Sequence, residues 1–392
     1  MIEVVAKLRR GSVYFAGETI HCSLTFTNVP DTEPGNNTES ETIAWASVQL
    51  HCFCSISEAR VVLPPALMKN MLAKRKDVGP STSFVPYKDE QGHCVLQTPV
   101  KILFCDLKLA PGESKVFKFQ EAIPSDTPPT YRGPSCKYSY KLTVGTQRVG
   151  APIKLLRIPV RVLVVYGKQV IYGLTEYQIN EDQIPSNPFI EEKKTKGQLL
   201  DIATDVLSTI TSRRSYKNYK IANSNGLMGV FSLMKTSAKI GEDIVGVFNF
   251  ADGTVPCLQY MVCLQSEEIL AEECQHSPSQ GNAIISYAKH IEFCLFANQT
   301  HVILPIPLHV TPNFLTELVC LKWRLHFEFV TATSPLKGLD LETGQQRDRM
   351  WQGPGKIKTE VTSWDIPVQV LPTMPTQAEN VAASHTLPLL RF

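Results

Sequence analysis

No run of about 18 uncharged apolar residues occurs in this chain, so the sequence predicts no membrane-crossing helix. Its eleven cysteines contain no C-x-x-C pair, which removes the usual zinc and dithiol spacings. The phosphate-cradling patterns G-x-x-x-x-G-K-[ST] and G-x-G-x-x-G are missing, as is the nucleophile elbow G-x-S-x-G. Charge is sparse at 19%, and the formal net charge of +2 gives no whole-molecule attraction for nucleic acid. Together these absences predict no catalytic residues, no cofactor, no metal site and no nucleic-acid partner. The start, Met1-Ile-Glu-Val-Val-Ala, carries Glu3 and reads as a strand rather than a secretory signal. The odd, scattered cysteine count predicts reduced thiols in the cytoplasm, in the cytosol.

What the chain does contain is alternation. Val319, Leu321, Trp323, Leu325, Phe327 and Phe329 are separated by Cys320, Lys322, Arg324, His326 and Glu328. Only a strand, with its period of two, puts the bulky groups on one face and the polar ones on the other. Cys136–Val144 repeats the device with Cys136, Tyr138, Tyr140, Leu142 and Val144 inward. A proline-bearing bend precedes each copy, Pro128-Pro129-Thr130-Tyr131 and Pro312-Asn313-Phe314. Gly17-Glu18 and Gly241-Glu242 open matching strands, and Ile-Pro-Val-x-Val-Leu closes both copies at 158–163 and 366–371. With 27 prolines and 22 glycines among short alternating segments, the chain reads as all-β.

The expected layout is a β-sandwich over 1–166, a linker over 167–225, a second sandwich over 226–371 and a flexible tail over 372–392. The proline inside each closing strand predicts a sheet edge or a bulge there. Within the linker, 197–214 reads as one short amphipathic helix. Leu199, Ile202, Ala203, Val206, Leu207 and Ile210 recur at three- and four-residue steps on it. Leu199, Ile202, Val206, Leu207 and Ile210 are either a partner-binding stripe or a face that packs back across the two lobes. Leu67–Lys76 mixes Leu67, Met68, Met71 and Leu72 with Lys69, Lys74, Arg75 and Lys76. It is either a basic patch for a membrane or acidic partner, or a solvated loop. His51-Cys52-Phe53-Cys54 puts His51 on the opposite face from both cysteines, so it reads as core packing rather than a metal site. His21 and His326, on polar faces, are expected to be solvated.

Two tandem sandwiches with these Gly-Glu turns, the bend 124–131 followed by Gly133, and Tyr138-Ser-Tyr140 resemble the arrestin fold, a pair of immunoglobulin-like sandwiches. More narrowly, Met1-Ile-Glu-Val-Val-Ala, Leu103-Phe-Cys-Asp-Leu107, Pro111-Gly-Glu-Ser-Lys115, Phe189-Ile-Glu-Glu192 and Leu321–Thr331 resemble the Rgp-one family. That resemblance implies a non-enzymatic subunit that forms an obligate heterodimer with a large β-propeller protein, Ric-one. Together they would promote GDP release from the Golgi GTPase Rab six, peripherally on the Golgi membrane, in endosome-to-Golgi retrograde transport. The alternative is a generic arrestin-like trafficking adaptor that binds cargo or coat proteins without exchange activity.

Overall fold

The structure, a computed structural model, describes residues 1–30, 40–65, 67, 92–165, 207–211, 216–277, 281–295, 297–333, 356–379 and 389–391. The first lobe is built from β1 (Ile2–Leu8), β2 (Val13–Phe15), β3 (Thr19–Asn28), β4 (Glu41–Ile56) and β5 (His93–Gln97). It continues with β6 (Lys101–Leu109), β7 (Ser114–Ala122), β8 (Tyr131–Arg132), β9 (Cys136–Gln147) and β10 (Lys154–Leu163). The second contains β11 (Lys217–Asn223), β12 (Gly226–Leu233), β13 (Ser237–Lys239), β14 (Asp243–Asn249) and β15 (Cys257–Leu270). It ends with β16 (Ala283–Phe293), β17 (Gln299–Pro305), β18 (Phe314–Leu315), β19 (Val319–Ala332) and β20 (Thr359–Leu371). A short helix α1 (Pro375–Glu379) and strand β21 (Leu389–Arg391) follow.

The repeat read from sequence is a repeat of topology. One sheet runs β1-β3-β7 in the first lobe and β12-β14-β17 in the second. The other runs β2-β10-β9-β4 and, correspondingly, β13-β20-β19-β15. In both lobes the closing strand joins its short partner in parallel, at Arg161–Leu163 and at Gln369–Leu371. Pro159 and Pro367 lie upstream of that parallel pairing, where the strand borders its neighbour on one side only. The edge placement expected of these prolines is what the sheets show.

Alternation drives burial as expected. Along Val319–Phe329 every odd residue is buried, and Cys136, Tyr138, Tyr140, Leu142 and Val144 are buried likewise. The tyrosine and tryptophan of the two long strands also hold their bends. Tyr140 donates its hydroxyl to the carbonyl of Pro128 at 2.5 Å, and Trp323 donates its indole N–H to that of Thr311 at 3.2 Å. The Gly-Glu signature has a backbone cause. Gly17 and Gly241 have φ of 91° and 86°, and the following glutamate accepts the N–H of Phe15 (2.5 Å) or Lys239 (2.9 Å).

Four expectations are corrected. Strand β11 lies inside the span assigned to the linker, so the second lobe's sheet begins at Lys217 rather than 226. The tail 372–392 is ordered in part: α1 packs by β2, and β21 pairs antiparallel with β1. Thus β21 takes beside β1 the place that β11 takes beside β12. In Cys257–Gln265 the sequence alternation predicts Leu258, Tyr260, Val262 and Leu264 inward, but a bulge in β15 between Cys257 and Gln259 buries Cys257 and leaves Leu258 half-buried. Finally, His326 is engaged rather than free: its ring lies 2.7 Å from Asp365 and 3.4 Å from Glu328.

Candidate functional site

The lobes meet through a junction that is both apolar and polar. One core cluster takes in Tyr131, Cys136 and Tyr138 of the first lobe with Leu270, Phe314, Leu318 and Leu321 of the second. At its centre Glu268 of β15, only 2% exposed, reaches into the first lobe. Its carboxylate accepts the Tyr131 hydroxyl at 2.5 Å and the Ser135 N–H at 2.9 Å. Burial, and then Glu268, push the Tyr131 hydroxyl's pKa far above its ordinary value. A Cβ on Gly133 would lie 2.0 Å from that carboxylate and 2.1 Å from the Tyr131 hydroxyl, so this approach needs glycine. Arg161 of β10 donates to the carbonyls of Leu308 and Val310 at 2.9 Å each, and burial lowers its pKa. Beside Glu268 lies a recess of about 170 Å³ lined by Arg60, Leu270, Gln275, Gly281 and Asn282. That space is partly open solvent and leaves no room for even a water-sized sphere, so it is no small-molecule pocket.

An open surface lies on the second lobe instead. Among the described residues strand β16 ends its sheet and pairs with β15 alone. Register places Phe293, Gln259, Val330 and Val361 in one row across four strands, with Ile291, Met261, Glu328 and Ser363 in the next. Phe293 is 80% exposed, Val361 63% and Ile291 50%, while Met261 and Val330 are half-buried between them. The rows toward the junction are charged, and Arg324, His326, Glu267 and Asp365 within them pair with one another. Arg324 lies 3.1 Å from Asp365 and 4.0 Å from Glu267, and His326 also meets Asp365. An exposed apolar end, broken only by Gln259 and bordered by Glu328 and Ser363, beside a field of paired charges suits a protein-binding surface.

The sequence-predicted residues are divided by the structure. Residues 207–211 are helical, and Leu207 and Ile210 pack with Val13, Phe15, Leu163, Leu371 and Ala378 at a second junction. For these two residues self-packing is the arrangement observed, and Leu207 presents no face to a partner. Leu199, Ile202 and Val206 lie outside the described residues, as do Lys69, Lys74, Arg75 and Lys76. Cys52 and Cys54 are buried core as expected; His51 is buried too, within 3.0 Å of Gln49, and burial lowers its pKa to about 4. Among the described residues no group of three or more His, Cys, Asp or Glu could hold a metal ion. The sequence reading missed Glu268, Arg161 and the β16 patch. The patch had a signal in Ala283–Phe293, where apolar residues fall on both faces of an alternating strand.

Comparison with known proteins gives a consistent picture. A sequence model of the family Rgp1 matches residues 81–184 and 174–332. The chain is 44% identical over 391 residues to the Homo sapiens protein named RAB6A-GEF complex partner protein 2, covering 97% of each chain. A Bos taurus protein of the same name is 44% identical over 378 residues, covering 94% of this chain and 93% of that one.

Proposed function

This chain belongs to the Rgp1 (Rgp-one) family, and we propose that it is a non-catalytic subunit of a guanine-nucleotide exchange complex for a Rab6-type GTPase. The observation that carries the reading is the 44% identity running through both lobes to proteins named for that complex. In the fuller form of the proposal, the chain pairs with a large β-propeller subunit. The pair acts in the cytosol and peripherally on Golgi membranes, releasing GDP from the Rab in retrograde transport from endosomes.

The physics of exchange suits such a subunit. An exchange factor needs a surface that binds the nucleotide-free GTPase better than the loaded one, and no acid–base group of its own. A scaffold whose lobes are pinned at Glu268 and Arg161 holds the apolar end of the second lobe at a fixed position relative to the first. The apolar end around Phe293, Ile291, Met261, Val330 and Val361 is where we place the propeller subunit, because a permanent partner covers apolar rather than charged surface.

Charge placed at this end tests the proposal. Phe293→Asp with Ile291→Asp is expected to release the propeller subunit and abolish exchange together, while both lobes remain folded. Full exchange with the doubly substituted chain would remove the patch from the mechanism.

A further inference from the structure

The outer face of the first lobe's four-stranded sheet is rich in cations and hydroxyls, unlike the equivalent face of the second lobe. Register aligns Lys7, Ser23 and Lys118 in one cross-strand row, and Val5, Thr25 and Val116 in the next. The Arg9 N–H bonds to the carbonyl of His21 at 2.9 Å, which extends the ladder and sets Arg9 on the same face by alternation. Thr19, Thr27 and Ser114 complete a surface of hydroxyls and cations. Lys7, Arg9 and Lys118 are exposed, and no ion pair involves them among the described residues. Among the described residues one acid shares the face, Glu3, and Arg391 of β21 meets its carboxylate at 2.9 Å. Nearby acids are occupied as well: Glu121 by Lys101 at 2.8 Å, Glu113 by Lys115 at 3.6 Å and Glu18 by Arg10 at 2.6 Å. The equivalent face of the second lobe carries Lys220 and Asp243, one charge of each sign.

From this placement we infer that the outer face of the β1-β3-β7 sheet docks against an anionic lipid leaflet. The inference deepens the peripheral membrane placement proposed above and rests on it, and vesicle binding tests it apart from GDP release. Four strands at about 4.8 Å spacing make a face roughly 15–20 Å wide, with Lys7 and Lys118 about 10 Å apart across β3. Between the cations the side chains are short, Ser23, Thr25, Thr27 and Ser114, so the face has no pocket or ridge for a folded acidic protein to complement. Lipid headgroups need no such shape, because they diffuse to fixed charges. Val116, 59% exposed beside the lysine row, supplies an apolar contact at headgroup depth. Each cation near an anionic surface strengthens partitioning by about fivefold, so the three together contribute about a hundredfold at physiological salt.

Vesicle co-sedimentation of the full chain tests this, with phosphatidylcholine vesicles containing phosphatidylserine against phosphatidylcholine alone. Wild type is expected to partition onto the anionic vesicles only, and less as salt rises. Lys7→Gln, Arg9→Gln and Lys118→Gln are each expected to weaken partitioning about fivefold, and the triple variant about a hundredfold. Lys220→Gln on the second lobe is expected to leave it unchanged. Matching melting curves for wild type and triple variant exclude unfolding as the cause. Equal partitioning of triple variant and wild type would overturn the inference, and so would equal binding of wild type to neutral vesicles.

Discussion

Replacing Glu268 with alanine removes the one acceptor that two buried first-lobe donors share. The Tyr131 hydroxyl and the Ser135 N–H would both lose their partner in a place where water does not reach the carboxylate. An orphaned buried donor costs about 1–3 kcal/mol. Removing a buried carboxylate recovers part of that, because its own desolvation disappears. The net loss for Glu268→Ala is therefore about 2–4 kcal/mol. Glu268→Gln keeps one carbonyl oxygen for Ser135, and its amide N–H can donate to the Tyr131 oxygen, so its cost is about 1 kcal/mol. The ranking wild type, then Gln, then Ala is the signature of a shared acceptor rather than of lost volume. Urea unfolding followed by tryptophan fluorescence reads it, since Trp45 sits in the first lobe and Trp323 and Trp364 in the second. In Glu268→Ala the lobes are expected to unfold in two separated steps. An alanine variant within about 0.5 kcal/mol of wild type, still unfolding in one step, would refute the role of this carboxylate in joining the lobes.

Other consequences are equally concrete. His51 is held neutral by burial, with a pKa near 4 against 6.5 for the free ring. The unfolded chain binds that proton first, so stability is full above pH 6.5 and falls by up to about 3 kcal/mol toward pH 4. His51→Phe should flatten the slope of unfolding free energy across this window, as denaturation at several pH values would show. Gly133→Ala should destabilise the lobe junction by about 2 kcal/mol or more, read by thermal melting, since the new methyl group meets the Glu268 and Tyr131 oxygens. Truncation of residues 389–392 removes β21 and the Arg391–Glu3 pair; hydrogen exchange should then quicken in Ile2–Leu8 and stay unchanged in β12.

The parts of this fold written in local pattern were legible in the sequence. Trp323, Phe327 and Tyr140 announce their burial through a period of two, and the Gly-Glu turns announce a backbone that requires positive φ. Long-range pairing was not. Leu389–Arg391 is three residues long, too short for any periodicity, and it becomes a strand only because the edge of β1 accepts it. Lys217–Asn223 reads as polar because its polar residues face outward across from β12. Glu268 falls at an ordinary place on a strand, and its importance comes from Tyr131 and Ser135, more than a hundred residues away. The β16 patch was overlooked because an apolar residue on a solvated face looks, in sequence, like one in a core.

Membership of an exchange complex is tested most directly by the rate of fluorescent GDP release from a Rab6 GTPase. Three conditions suffice: this chain alone, a propeller subunit alone, and the two assembled. Strong acceleration with the assembled pair, lost when Phe293 and Ile291 are replaced by aspartate, is the expected result. An assembled pair that leaves GDP release at its intrinsic rate would contradict the account.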